Sequence, residues 1–127
     1  MKKDYKIQKI IREFTYCFYS YNITDLDKIP DEKNLKLLTK IAKIGNCEPI
    51  QDSFSISRYP EQGTSLYIAI KESSISMHTW PEYNYGILKF ESCSDKTDFD
   101  KIKKFMRRVF KPYKDEIYYQ NFIISSL

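Results

Sequence analysis

The chain has 127 residues, 42% of them apolar and 16% aromatic, with 21 basic and 17 acidic side chains and a formal net charge of +4. That length suits one domain with a real core, spanning residues 1–127, and the apolar share excludes a disordered chain. Three widely spaced cysteines without a CxxC argue against a disulfide framework and against a metal site, and no dense basic run interleaved with aromatics points to nucleic acid.

Met1-Lys2-Lys3 is followed by Asp4-Tyr5-Lys6 rather than an apolar run, so neither a signal peptide nor a membrane span is expected, and reduced thiols suit a cytoplasmic protein. In chain order, residues 11–19 are aromatic and β-branched and read as a first strand. Residues 22–30 read as a connection. Asp31-Glu32 opens a helix over 31–44, with Leu35, Leu38 and Ile41 at helical spacing and Gly45-Asn46 as its stop. Residues 48–58 form a second strand, and Tyr59-Pro60-Glu61-Gln62-Gly63 is a turn by composition. Strands follow over 64–70, 75–79 and 83–92. Thr97 with Asp100 resembles a capping box, and Phe99, Ile102, Phe105, Met106 and Val109 make the apolar stripe of a second helix that Pro112 ends. The basic side chains of that helix read as solvated surface. Residues 116–124 read as a last strand.

This order predicts an α+β fold, a two-layer sandwich in which an antiparallel sheet carries both helices on one face. The other face must meet a partner or carry a site, because so many Tyr and Phe residues are not left wet. If strands 64–70 and 75–79 form a hairpin with Glu72-Ser73 as its two-residue turn, Tyr67 faces His78, Ser65 faces Trp80 and Lys71 faces Ser74. Alternation then places Ser65, Tyr67, Ser76, His78 and Trp80 on one face, beside a turn with Ser73 at its tip. Leu66, Ile68, Ile70, Ile75 and Met77 point to the core.

Three stretches carry chemistry: Glu72-Ser73, His78-Thr79-Trp80-Pro81-Glu82-Tyr83 and Ser92-Cys93. Together they resemble the self-cleavage site of the small prokaryotic S-adenosylmethionine decarboxylases, which make a pyruvoyl cofactor from a serine. The resemblance is strongest over 54–93. It implies that Ser73 attacks the Glu72 carbonyl, that His78 drives elimination of the resulting ester, and that Ser65, in a Gly63-Thr64-Ser65 context, assists processing. Such chemistry needs a strained, reachable peptide, donors for an oxyanion and a base working near neutrality. The resemblance further implies a pyruvoyl group at residue 73 that forms a Schiff base with S-adenosylmethionine, Cys93 as the proton donor after carbon dioxide leaves, and Glu82, Trp80 and Tyr59 at the substrate. A homodimer and a role in spermidine synthesis follow from the same likeness.

Departures from that pattern are Ser74 where histidine is usual, Asn84 and Ser94 where glycine is usual, and Lys89 where an acid is usual. They leave two alternatives open: an arginine or ornithine decarboxylase on the same scaffold, or an uncleaved, non-catalytic regulatory homologue. Tyr83 and Tyr85 suit either dimer contacts or sheet packing, and Cys17 and Cys47 read as inert packing.

Overall fold

The computed structural model describes residues 6–60 and 62–126. Strand β1 (Lys6–Tyr19) is followed by the short helix α1 (Asp25–Lys28), helix α2 (Asp31–Ile44), and strands β2 (Pro49–Arg58), β3 (Thr64–Ile70), β4 (Ser73–Trp80) and β5 (Tyr85–Ser92). Helix α3 (Phe99–Phe110) and strand β6 (Lys114–Ser126) complete the chain. The strands form one six-stranded sheet in the order β2-β3-β4-β5-β1-β6, every neighbouring pair antiparallel. This is the α+β sandwich that the element order predicts. No helix among the described residues is long and apolar enough to cross a membrane.

One face of the sheet is apolar and carries the helices. Phe14, Tyr16 and Phe18 of β1, Leu66, Ile68 and Ile70 of β3, Ile75 and Met77 of β4, and Leu88 and Phe90 of β5 pack with Leu38, Ile41 and Ala42 of α2 and Ile102, Phe105 and Met106 of α3. Burying each such side chain contributes on the order of 1.5–3 kcal/mol, which fixes every strand's facing. The stripe of α3 turns slightly from expectation: Phe110 is buried and Val109 is 38% exposed.

Several local expectations are corrected. A helical turn, α1, interrupts the connection over 22–30, pinned by the Arg58 guanidinium, which donates to the carbonyls of Leu26, Asp27 and Ile29. Asp98, not Thr97, caps α3, its carboxylate accepting from Lys101 N–H at 3.1 Å. The Thr97 hydroxyl instead lies 2.5 Å from Ser92 Oγ, inside the fold. The expected Gly45-Asn46 stop does end α2, with Gly45 as cap at φ −79° and Asn46 taking the left-handed conformation at φ 63°. Gly45 is there for space, since a Cβ would stand 2.9 Å from Ile102 Cδ1. Finally, β5 begins at Tyr85 because Pro81–Tyr83 form a 3₁₀ turn that Asn84 ends at φ 55°.

The hairpin carrying the motif is shifted as well. Its turn is Lys71-Glu72, and Ser73 is already the first residue of β4, paired with Ile70. Ser65 therefore opposes His78, and Tyr67 opposes Ser76. The expected pairing is moved by two residues, an even slip that keeps each side chain on its predicted face. It does move Ser73 off the tip.

Candidate active site

Two clusters stand at opposite ends of β4, the first on the open face of the sheet and the second at the sheet's end beside the β3–β4 turn. The first is built on β3 and the far end of β4. Gly63, at φ 114°, turns the chain so tightly that a Cβ would stand 3.0 Å from Thr79 O, and only glycine adopts this conformation freely. The Thr79 hydroxyl accepts from Thr64 N–H at 2.9 Å and locks that corner. Ser65 Oγ is thereby held 2.8 Å from His78 Nδ1 and 2.8 Å from the Tyr59 hydroxyl. Tyr59, Gln62, Ser65, His78, Thr79 and Trp80 line a cavity of about 290 Å³. With the imidazole proton on Nδ1, that nitrogen donates to Ser65 Oγ, the Ser65 hydroxyl donates to the Tyr59 oxygen, and Nε2 keeps its lone pair.

The second cluster sits where β3 turns into β4. Glu72 occupies the left-handed region at φ 65°, a conformation that costs a non-glycine residue about 1 kcal/mol. Its carbonyl oxygen accepts from the Cys93 thiol at 3.4 Å. Its carboxylate pairs with Lys9 Nζ of β1 at 2.5 Å, an ion pair that holds the Glu72 carboxyl below and the Lys9 ammonium above their ordinary ranges. Cys47, Lys71, Glu72, Ser92 and Cys93 border a cavity of about 340 Å³.

The two clusters are not one site within a chain. Ser73 and His78 are five residues apart on the same strand, which at 3.3–3.4 Å per residue is about 17 Å. An odd separation also turns them to opposite faces: Ser73 follows the parity of the core residues Ile75 and Met77, His78 that of Ser76 and Trp80. The expected convergence of Ser73 with the imidazole is thus corrected. Of the other expected residues, Tyr59, Ser65 and Trp80 gather round His78, and Cys93 stands at the Glu72 carbonyl. Glu82 lies exposed on the 3₁₀ turn and lines neither cavity.

Lys9 and Thr79 belong to these clusters and were not anticipated. No sequence signal marks Lys9, whose partner lies 63 residues away. Thr79 was visible only as part of the motif.

Between the clusters the open face is mixed. Glu13 and Glu91 oppose each other across β1 and β5, and burial followed by the hydrogen bond from its neighbour raises the Glu91 carboxyl above its ordinary range. Tyr67, Trp80, Tyr118, Phe122 and Ile124 leave 39–55% of their surface exposed on this side.

Residues 9–120 match the family model described as S-adenosylmethionine decarboxylase. The chain is 32% identical over 88 residues to the S-adenosylmethionine decarboxylase proenzyme of Pyrococcus furiosus, covering 68% of this chain and 62% of that protein. It is 32% identical over 93 residues to the proenzyme of Pyrobaculum neutrophilum, covering 72% and 73%. The chain thus spans about three-fifths of the length of the Pyrococcus relative. In fold it is similar to the adenosylmethionine decarboxylase of Aquifex aeolicus, with a TM-score of 0.69, 21% identity, and coverage of 88% of this chain and 89% of that one.

Proposed function

Because the chain belongs to the S-adenosylmethionine decarboxylase family, we propose that it is a proenzyme that cuts itself between Glu72 and Ser73 and then decarboxylates S-adenosylmethionine. The observation that carries this reading is the Cys93 thiol on the Glu72 carbonyl, at a residue held left-handed and followed directly by serine. A carbonyl already receiving a donor is primed to become an oxyanion.

In the first step the Ser73 Oγ bonds to the Glu72 carbonyl carbon, the carbon–nitrogen bond breaks and the hydroxyl proton passes to the freed amine. The product is an ester. A base then takes the Ser73 α-proton, the bond from Cβ to the ester oxygen breaks, and Glu72 leaves as a carboxylate at the end of fragment 1–72. The dehydroalanine left behind takes a proton at Cβ to become an imine, water displaces ammonia from it, and fragment 73–127 begins with a pyruvoyl group.

That group is about the size of the serine it replaces, and Ser73, half-buried beside the Cys93 cavity, suits it. It supplies a ketone carbonyl that condenses with a substrate amine and draws electrons from the departing carboxylate. Cys93, whose thiol lies 3.4 Å from the Glu72 carbonyl oxygen, is the group we assign to return a proton to the carbon that loses carbon dioxide. Trp80 and Tyr59, walls of the imidazole cavity, offer faces for an adenine ring and for the cationic sulfur. Glu82, exposed on the 3₁₀ turn that follows Trp80, suits the ribose hydroxyls.

Within one chain His78 is too far from Ser73 to be the base. A second copy that brings its own Ser65–His78 pair to the β3–β4 turn removes the difficulty by supplying the imidazole to the Glu72–Ser73 bond. A homodimer with shared sites also covers the half-apolar face. The product, a decarboxylated sulfonium, suits aminopropyl transfer in spermidine synthesis, and cytoplasmic residence suits its free thiols.

The test is an intact-mass measurement. Two fragments, 1–72 and 73–127, with ammonia lost from the second are expected, while Ser73→Ala stays whole. Carbon dioxide release from S-adenosylmethionine, compared with arginine and ornithine, then assigns the substrate. A wild-type chain that remains whole after long incubation overturns the reading.

A further inference from the structure

We infer that Lys9 is a positioning residue for self-cleavage: its ion pair with Glu72 aims the carbonyl that Ser73 attacks. The inference rests on the self-cleavage reading above and deepens it. The sheet order places β5 between β4 and β1, so the link from the β3–β4 turn to Lys9 crosses two strand spacings, roughly 10 Å. It arches over the end of β5, where Cys93 follows. The Glu72 residue is thus held at two points, its carboxylate by the Lys9 ammonium at 2.5 Å and its carbonyl by the Cys93 thiol at 3.4 Å.

Two further observations separate this from an ordinary surface pair. Lys9 and Glu72 both lie in fragment 1–72, so their bond does not clasp the two products together. The β-ladders between β3 and β4 and between β1 and β5 do that. Nor is the pair a source of much stability, since its side chains are 37% and 55% exposed, and such pairs contribute little. What remains is orientation. Glu72 is a non-glycine residue at φ 65° in a two-residue turn, and a free glutamate there has other backbone conformations to relax into. Anchoring its side chain narrows that choice to the one in which the carbonyl faces Cys93. At neutral pH both charges are present, because each partner holds the other in its ionised form.

The experiment follows cleavage of freshly translated chain with time by gel and intact mass. Lys9→Met is expected to slow fragment formation about two- to fivefold, the bias that one exposed ion pair can exert on an orientation. Lys9→Arg keeps a rate near wild type. Lys9→Glu and Glu72→Lys each cleave slowly, and the double exchange recovers a large part of the loss, which a merely structural role would not give. Raising salt from about 0.05 to 1 M slows the wild type and leaves Lys9→Met unchanged, because the pair is exposed to screening. Lys9→Met cleaving at the wild-type rate, with an unaltered thermal melt, overturns the inference. If Lys9→Met does not fold, a salt-independent wild-type rate overturns it instead. A wild-type chain that never cleaves removes the self-cleavage reading itself, a failure distinguishable from that of Lys9 alone.

Discussion

If the catalytic site is shared between two copies, two inactive variants should repair each other. Ser73→Ala lacks the nucleophile and stays whole by itself. His78→Ala keeps the nucleophile but lacks the imidazole, and by itself it stops at the ester or earlier. The separation on β4 is about 17 Å, with the two side chains on opposite faces of the sheet. No rotamer change closes such a gap, because a histidine side chain reaches only about 4.5 Å from its Cα to Nε2. The imidazole that serves a given Ser73 must therefore come from elsewhere.

Co-expression of the two variants at equal levels places about half of the His78→Ala chains in mixed two-fold pairs. In each mixed pair one site is complete, with Ser73 from the His78→Ala chain and His78 from the Ser73→Ala chain. Intact mass distinguishes the chains by the substituted side chain. Up to about half of the His78→Ala chain should appear as two fragments with ammonia lost, and none of the Ser73→Ala chain. Decarboxylase activity should return in the mixture at up to about a quarter of the wild-type level, since one site in four is complete. No pyruvoyl fragment in a mixture shown by native mass to contain mixed pairs refutes the shared site. Cleavage of purified His78→Ala alone at the wild-type rate refutes the role of the imidazole.

Cys93→Ala should slow self-cleavage roughly tenfold, less than the ~10²–10³ typical of a strong N–H donor, because a thiol donates weakly; Cys93→Ser should retain part of the rate, as a time course on a gel will show. Asp115→Asn should destabilise the fold by about 1–3 kcal/mol in urea melts at pH 7, since its carboxylate accepts from the Tyr16 hydroxyl at 2.6 Å and from Arg107 at 2.7 Å. Arg107, first, and the Tyr16 hydrogen bond hold the Asp115 carboxyl below its ordinary value of 3.8. Its contribution is therefore complete above pH 4 and lost as the pH falls through the lower folded value, where the variant and wild type should converge. Gly86→Ala should cost about 1–3 kcal/mol and lower the melting temperature by several degrees, because a Cβ there would stand 2.8 Å from both Phe18 Cζ and Ile23 Cδ1. Unchanged melting would mean that the Phe18 ring shifts freely.

Helix α2 was legible to the residue because its acidic start, apolar spacing and Gly45-Asn46 end agree, with Asn46 supplying the left-handed residue. The faces of β3 and β4 were legible for a different reason. Alternation survives any even slip of register, so Ser65 and His78 were correctly placed on one face while their pairing was not. The turn itself was misread because its left-handed residue is Glu72, a type that carries no turn signal. Helix α1 was missed because its support is the side chain of Arg58, about 30 residues on. The Lys9–Glu72 pair was invisible for the same reason: only the sheet order brings β1 near that turn.

The departures from the family pattern take on a different meaning once placed. Asn84 stands at φ 55°, and asparagine is the residue after glycine that best tolerates this conformation, so the turn after Tyr83 keeps its shape. Lys89, which reverses a charge, lies on the open face across from Ser76 and Thr15, one row from the Glu13–Glu91 pair. Its ammonium draws the Glu91 carboxyl back toward ionisation against burial and Glu13. The reversed charge is thus matched locally by two carboxylates and stays clear of the Cys93 contact with Glu72. Ser74 faces Glu91 and Ala69 in the adjoining row of the same face. Of the departures, Lys89 and Ser74 thus lie on the open face and Asn84 in the turn after Tyr83, while the Cys93 contact with the Glu72 carbonyl is kept. If two copies meet on the open face, Lys89 and Ser74 bear first on how they fit together, and on substrate only through that fit.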